Sequence, residues 1–579
     1  MMKKLQSWMS LFLAVMLMLS VVATAAAGPY DPPEKRDVIA KNGVVAAAHP
    51  LAAQAGLAVL KNGGNAFDAA IATSFMLNVV EPNASGMGGG GFAVIYTAKD
   101  KKTYFIDYRE MAPAQARPDF YPLDANGKVK DMATTVGYYA SGVPGQLRGM
   151  EMLHHKFASK SWAELVAPAI KQSEAGLTVT KNLNGIIMDN IDRFEKFSPS
   201  MPAFKSIFYK DGLPAQEGAV VKNTALTETL KKVAAGGADV FYKGEIADKI
   251  DAYYAKNAGG WITKADLARY QAKLREPVQG TYRGYTLITS PPPSSGGLTA
   301  VNMLNIMEGY DVAKMGRSSS EFLHTFIEAQ KLAFSDRNKY MADSDFVNVP
   351  MAGMTDKKYA ADRRKAIDPD KANNAVKFGD PAKYSAGSTT SFSVIDKEGN
   401  MITVTQTIND FFGSGVIVDG TGIIMNDEMD DFVANNPDHN NAPAPGKRPL
   451  SSITPMIVLK DGKPFLTMGS PGGPRIITTM VGIVLNVVDF KMDLQSAILD
   501  ARSHNPNAAV AQLEKPVVEY KFADHMDVVV RELESRGHKV NLRPERSAYF
   551  GGAQGIMILP DGSLHGAADN RRLGQAFGY

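Results

Sequence analysis

The chain has 579 residues, with 63 Lys+Arg against 60 Asp+Glu for a formal net charge of +3, and it contains no cysteine. So even a balance gives no broad basic field for nucleic acid, and the lack of thiols excludes disulfides, cysteine nucleophiles and cysteine-ligated zinc. Hydrophobic and charged contents are those of an ordinary globular protein, and nothing in the composition forces a division into separate domains.

Residues 1–27, MMKKLQSWMSLFLAVMLMLSVVATAAA, join two lysines, an apolar run and a small-residue end suited to signal peptidase. This predicts a secretory signal peptide and a secreted, extracellular product. An uncleaved anchor fits less well, because the run is shorter than the roughly 20 residues of a span. Residues 51–82 then read as two helices rich in small residues, split by the turn Asn62-Gly63-Gly64-Asn65. GFAVIYTAKDKKTYFIDYRE alternates on either side of a polar turn, which predicts a hairpin. Helical patterns dominate residues 145–343, among them SWAELVAPAIKQSEAG, whose Ser161 and Glu164 have the spacing of a capping box. Residues 355–388 turn polar and irregular, which predicts a mobile loop. Strands return with SFSVID, MITVTQT, GVIV, GIIMN and ITPMIVLKDGKPFLTMG. Two helical stretches follow, RIITTMVGIVLNVVDF and DLQSAILDARS, and a closing hairpin, GIMILPDGSLHGAA. There is no internal repeat. Antiparallel strand pairs and grouped helices predict an α+β sandwich with helices covering sheets.

Several motifs fail. Gly86-Met87-Gly88-Gly89-Gly90-Gly91 has the letters of G-x-G-x-x-G, but a helix precedes it and a strand follows, the reverse of a dinucleotide site. Close backbone packing is the better reading. There is no G-x-S-x-G elbow, H-E-x-x-H or P-loop, and the nine histidines are scattered. His154, His155 and His324 fall on predicted helices as packing or surface residues. Metal catalysis and a Ser-His-Asp triad both lack their parts.

AGSTTSFSV, at the seam between the irregular stretch and the returning strands, supplies another route to a nucleophile. By propensity Thr389 simply opens a strand. A threonine becomes reactive when cleavage of the preceding bond frees its own α-amine as a base. Such an amine titrates near pH ~7.7–8.0 and lies at a fixed short distance from the hydroxyl.

With that stretch in view, the sequence resembles the γ-glutamyltranspeptidases of the N-terminal-nucleophile hydrolase superfamily. The resemblance rests on GMGGGGF, FIDYREMAP, TTSFSVIDKEGN, VTQTIND, MNDEMDDF, KRPLSSITP and GSPGGPRIITT, and covers nearly the whole mature chain. It implies an αββα four-layer sandwich and self-cleavage between Ser388 and Thr389. Residues 28–388 would form a large subunit and residues 389–579 a small one, intertwined in one fold. Thr389 would be the nucleophile and Thr407 its hydrogen-bond partner. Gly472 and Gly473 would form the oxyanion hole. Arg109 would clamp the substrate α-carboxylate with Ser451 and Ser452, and Asp431 would take the α-ammonium beside Asn409 and Glu428. On its own, DEMDD reads as a solvated acidic loop, and its spacing does not fit an EF-hand.

Two departures stand out. Ser391 occupies a position where many members have His. Residues 433–446, VANNPDHNNAPAPG, are shorter than the lid of enteric and animal members and contain no Phe, Tyr or Trp. The sequence thus resembles the lid-deficient members secreted by Gram-positive bacteria, with poorer water exclusion and so more hydrolysis. The implied donors are glutathione, glutamine and γ-glutamyl peptides, the implied acceptors water, amino acids and short peptides. No cofactor, metal or nucleic acid is implied. A poly-γ-glutamate depolymerase or capsule-processing transpeptidase is the alternative on the same scaffold. A cephalosporin-type amidase fits Arg109 and Asp431 less well, and a binding protein with a degenerate site would remain one uncut chain.

Overall fold

Two seven-stranded antiparallel sheets lie face to face in the computed structural model, which describes residues 35–376, 388–516 and 526–579. The predicted signal peptide lies outside the described residues, as do residues 377–387 of the predicted loop. One sheet runs Gln575–Gly578, Val44–Ala47, Ser388–Ile395, Met401–Asn409, Gly90–Thr97, Lys102–Asp107 and Lys273–Arg275. The other runs Val38–Ala40, Leu564–Ala568, Gln554–Ile558, Lys463–Gly469, Met456–Lys460, Tyr285–Thr289 and Val278–Tyr282. Both sheets therefore draw strands from before and after Thr389.

Helices cover both outer surfaces. Pro50–Lys61 and Ala66–Val80 pack on the first sheet, and Gly296–Met307, Arg475–Val488 and Leu494–Leu499 on the second. This is the expected αββα order. Ala66–Val80 is buried at every residue, which its run of Ala, Ile, Phe and Val allows, and Asn65 and Asp68 close its start in a reciprocal capping box. Among the described residues no helix is long and apolar enough to cross a membrane.

Alternation along the central hairpin sets up the site. Phe392, Val394, Ile402 and Val404 point into the core under the helices. Each such side chain stabilises the layer by about 1.5–3 kcal/mol. Thr389, Ser391 and Ser393, with Thr403, Thr405 and Thr407 across from them, have the opposite parity and face the second sheet. There Ser393 Oγ donates to Gln554 O at 3.5 Å, and a Cβ on Gly469 would come within 2.3 Å of Ser391 Oγ. Small hydroxyl residues line this face because the sheets approach too closely for larger ones.

The glycine run is used for close packing, as its reversed context predicts. A Cβ on Gly89 would sit 1.9 Å from Thr407 O, and one on Gly90 2.4 Å from Tyr108 O. These contacts let strand Gly90–Thr97 fit closely between the strand carrying Thr407 and the segment leading to Arg109.

Several expectations need correction. Strands Val278–Tyr282 and Tyr285–Thr289 lie within the stretch predicted to be helical. A turn at Arg283-Gly284 separates two period-2 runs there, and each helps build an edge of the second sheet. The polar stretch begins with a real helix, Lys357–Arg364, capped by Asp356 and docked through Arg364 Nε on Ile306 O at 2.8 Å. GVIV and GIIMN form no strands but isolated bridges, Ile417 to Ile424 between them and Met425 to Gly88. Ser161 does cap its helix, accepting from Glu164 N at 3.4 Å, but Glu164 lies near Lys160 instead of returning the bond. His324 is buried and packs as expected, with Nδ1 2.7 Å from His538 Nε2.

Candidate active site

One pocket at the end of the central hairpin gathers most of the predicted residues. Thr389, Thr407, Asn409, Arg109, Asp431, Ser451, Ser452 and Gly473 all line it. Glu428 does not; it is fully buried behind Arg109. Gly472 precedes the lining Gly473 without lining the pocket itself.

Thr389 and Thr407 are cross-strand partners, with hydroxyls 3.3 Å apart. The register shifts at this point: Ser388 pairs with Asn409 and Thr389 with Thr407, so Ile408 is skipped. A bulge of this kind re-aims the neighbouring side chains. Asn409 turns away with φ 72°, a left-handed conformation that Asn tolerates, and its N–H donates to Thr407 Oγ1 at 2.8 Å. That donation strengthens the Thr407 hydroxyl as a donor toward Thr389.

Thr390 faces the other way and donates to Glu81, which ends the buried helix Ala66–Val80. Burial raises the Glu81 carboxyl above its usual range, against the opposing pull of Thr390. Arg572 Nη1 donates to Thr389 O at 2.7 Å. Neither Glu81 nor Arg572 was identified from the sequence.

The Gly472–Gly473 turn needs glycine, since its φ values are +131° and +56°. Among the described residues neither N–H finds an acceptor. Helix Arg475–Val488 starts two residues later and adds the positive end of its dipole.

At the far end Arg109, 1 % exposed, meets three carboxylates. Nη1 lies 2.6 Å from Glu428 Oε1 and 3.6 Å from Glu110 Oε2, while Nη2 donates to Asp431. Burial works against the guanidinium charge, but Glu428, Asp431 and Glu110 outweigh it and hold Arg109 protonated above its usual range. Burial raises Glu428 well above the usual carboxylate range and pushes Glu110 up to about 7, in each case against the attraction of Arg109. Asp431, with its side chain 30 % exposed, is the carboxylate that opens to the pocket. Two groups expected to hold opposite charges of one substrate thus form an ion pair with each other.

Further pocket residues came only from the fold. Arg337 donates from Nη2 to Ser452 Oγ at 2.9 Å and from Nε to Ser295 Oγ at 2.8 Å, and Ser295 in turn donates to Ser451 O. A hydroxyl that accepts from a guanidinium has its own hydrogen left to donate. Asn441 joins the two walls, donating to Asp431 O at 2.7 Å and accepting from Leu450 N at 3.1 Å. Phe432, Val433 and His439 complete the wall on that side, so part of the short segment 433–446 lines the pocket.

Chemically, the arrangement offers a hydroxyl pair, unengaged amide donors beside it, and an amphoteric recess for a head group. A sequence model of the family described as Gamma-glutamyltranspeptidase matches residues 52–579. The chain is 43% identical over 476 residues to a glutathione hydrolase proenzyme of Pseudomonas sp. (strain A14), covering 80% of this chain and 82% of that protein. It is 39% identical over 570 residues to a glutathione hydrolase proenzyme of Escherichia coli (strain K12), covering 95% of each. Among solved structures, a cephalosporin acylase from Bacillus halodurans matches with a TM-score of 0.84 at 32% identity, covering 96% of this chain and 99% of that one.

Proposed function

The chain belongs to the γ-glutamyltranspeptidase family, and we propose that it is a secreted, self-cleaving enzyme that carries γ-glutamyl groups as an ester on Thr389. The observation that carries this reading is the hydroxyl of Thr389, 3.3 Å from that of Thr407, in the same pocket as Arg109 and Asp431.

In the first reaction Thr389 Oγ attacks the Ser388 carbonyl carbon. The C–O bond forms, the C–N bond breaks, and the hydroxyl proton passes to the departing nitrogen. Water then hydrolyses the ester, leaving a carboxylate on Ser388 and a free amine and hydroxyl on Thr389. The register shift at this bond supports the assignment, since it frees the hydroxyl from regular strand geometry.

In the second reaction the new amine takes the hydroxyl proton as Oγ attacks the γ-carbonyl of the donor. The Gly472 and Gly473 N–H groups stabilise the oxyanion, a contribution of about 2.7–4 kcal/mol for each donor. The amine leaves with the proton returned by the Thr389 ammonium. Water or an acceptor amine then releases the γ-glutamyl group by the reverse steps. The α-carboxylate pairs with Arg109 and the Ser451 and Ser452 hydroxyls. The α-ammonium takes Asp431, with Glu428 and Asn409 behind it, in place of the guanidinium that Asp431 now holds. Glutathione, glutamine and γ-glutamyl peptides are the donors this head-group pairing fits, and a poly-γ-glutamate chain end carries the same head group.

The test is Asp431→Asn assayed with γ-glutamyl and glutaryl amides. Loss confined to the γ-glutamyl donor supports ammonium recognition. Equal loss on both removes it and favours an amidase of the cephalosporin acylase kind.

A further inference from the structure

Arginines in the C-terminal part of the chain fall into two sets: Arg475, Arg502 and Arg571 are buried, and Arg543 and Arg572 half-buried. Arg502 and Arg571 are paired: Arg502 Nη2 lies 2.5 Å from Asp569 Oδ2, and Arg571 bonds Glu514 and Asp569. Arg475, Arg543 and Arg572 have no such partner, for among the described residues none forms an ion pair with a carboxylate. Arg475 is only 8 % exposed. Its Nε donates to Tyr549 O at 3.0 Å, while its two terminal nitrogens find no acceptor among the described residues. The guanidinium groups of Arg475 and Arg543 lie 4.6 and 4.3 Å from the centre of the Tyr549 ring.

This cationic group adjoins the nucleophile. Arg572 holds the Thr389 carbonyl, and Arg475 lies between Pro474 and Ile476, both of which line the pocket. None of the three arginines lines the pocket that holds Arg109. Burial, with repulsion from Arg543 on Arg475 and from Arg475 on Arg572, lowers both below the usual guanidinium range, with only Tyr549 and Asp410, or Glu81 and Asp569, acting the other way. Buried charge is costly when it is left without a partner. A protein that pairs Arg502 and Arg571 so completely leaves these donors for something else.

We propose that Arg475 and Arg572, with Arg543 at the rim, form a second carboxylate subsite, which takes the carboxylate of the departing amine and of the acceptor that replaces it. The proposal rests on the acyl-transfer reading of Thr389. It assigns the ligand class as amino acids, peptides or γ-linked glutamate residues with a free carboxylate near the transferred nitrogen. A donor would be held at both ends, its head-group carboxylate on Arg109 and its leaving-group carboxylate on Arg475, with the scissile carbonyl at Thr389.

The test compares γ-glutamyl-4-nitroanilide with γ-glutamyl-3-carboxy-4-nitroanilide. For Arg475→Gln, kcat/KM on the carboxylated donor should fall about tenfold further than on the plain one, the size of one charge-assisted hydrogen bond. Arg543→Gln should show a smaller gap of the same sign. Equal losses on both donors would overturn the proposal. Should Arg475→Gln fail to fold, the wild-type enzyme answers with the methyl ester of the carboxylated donor. KM should rise severalfold on esterification, and an unchanged KM would be the refuting result. A wild-type protein that turns over neither donor would instead refute the acyl-transfer reading, and the subsite with it.

Discussion

The two ends of the pocket are built on opposite principles. Around Thr389 the side chains are small and hydroxylic, set by strand alternation, and held by neutral hydrogen bonds such as Asn409 N–H to Thr407 Oγ1. Around Arg109 one guanidinium meets Glu110, Glu428 and Asp431, and among the described residues both carboxylate oxygens of Glu110 and of Glu428 lack a hydrogen-bond partner. The first end pairs its hydroxyls with one another and with neutral backbone groups, and leaves the Gly472 and Gly473 amides as donors. The second holds more buried acid than base, an imbalance that the proposed α-ammonium would relieve. On the proposed reading, the chemistry falls on the central hairpin and head-group recognition on the segments that carry Arg109, Glu428 and Asp431.

Breaking the first end should have the largest effect. Thr389→Ala should remain one full-length chain and lose about 10⁴-fold or more in acyl transfer, as when other covalent nucleophiles are removed. Electrophoresis and a γ-glutamyl anilide assay check this. A variant that still splits and turns over would move the nucleophile elsewhere.

Breaking the second end should weaken binding more than chemistry. Arg109→Ala should raise KM for γ-glutamyl donors well over tenfold, since a charged hydrogen bond contributes about 1.5–3 kcal/mol. A des-carboxy donor should show little of that loss. If KM stays put, the carboxylate role is lost.

A third change sharpens the contrast through pH. Burial pushes Glu110 up to about 7 from an ordinary 4.5, so over that interval the folded protein binds this proton more tightly than the unfolded chain. Stability attributable to Glu110 is therefore complete at low pH and is lost as pH rises through about 7. Glu110→Gln should match wild type in Tm near pH 4, overtake it progressively between about pH 5 and 7, and hold the advantage above that. Parallel Tm curves would show that Glu110 carries no such proton.

The smallest effect is expected at Ser452, whose neutral hydroxyl is one of several donors to the carboxylate. Ser452→Ala should cost a few-fold in KM, in line with about 0.5–1.5 kcal/mol for an ordinary hydrogen bond. A loss as large as that of Arg109→Ala would reassign the main clamp.

How far the site could be read from sequence follows the same division. Thr389, Thr407 and Arg109 sit in short contiguous motifs, and the layered fold follows from hairpins and small-residue helices. Arg337, Asn441 and Arg572 had no local signal. Arg337 lies in the last turn of the long helix Ser320–Tyr340, and Arg572 is 183 residues from the carbonyl it holds. Strands Val278–Tyr282 and Tyr285–Thr289 were hidden for a related reason. They are short and flanked by helices, and become strands by joining Met456–Lys460 far along the chain. Lys357–Arg364 was missed because its composition is that of a loop, while its anchors on Ile306 and Asp336 are tertiary.

The central claim is that Thr389 becomes a chain terminus and then carries the acyl group. Intact-mass analysis and N-terminal sequencing of fully active protein test it together. The account predicts two polypeptides, the second beginning Thr-Thr-Ser-Phe and gaining the mass of one γ-glutamyl group when the reaction is trapped with acid. Full activity in an uncut chain, or in a cut chain with no fragment beginning at Thr389, would contradict it.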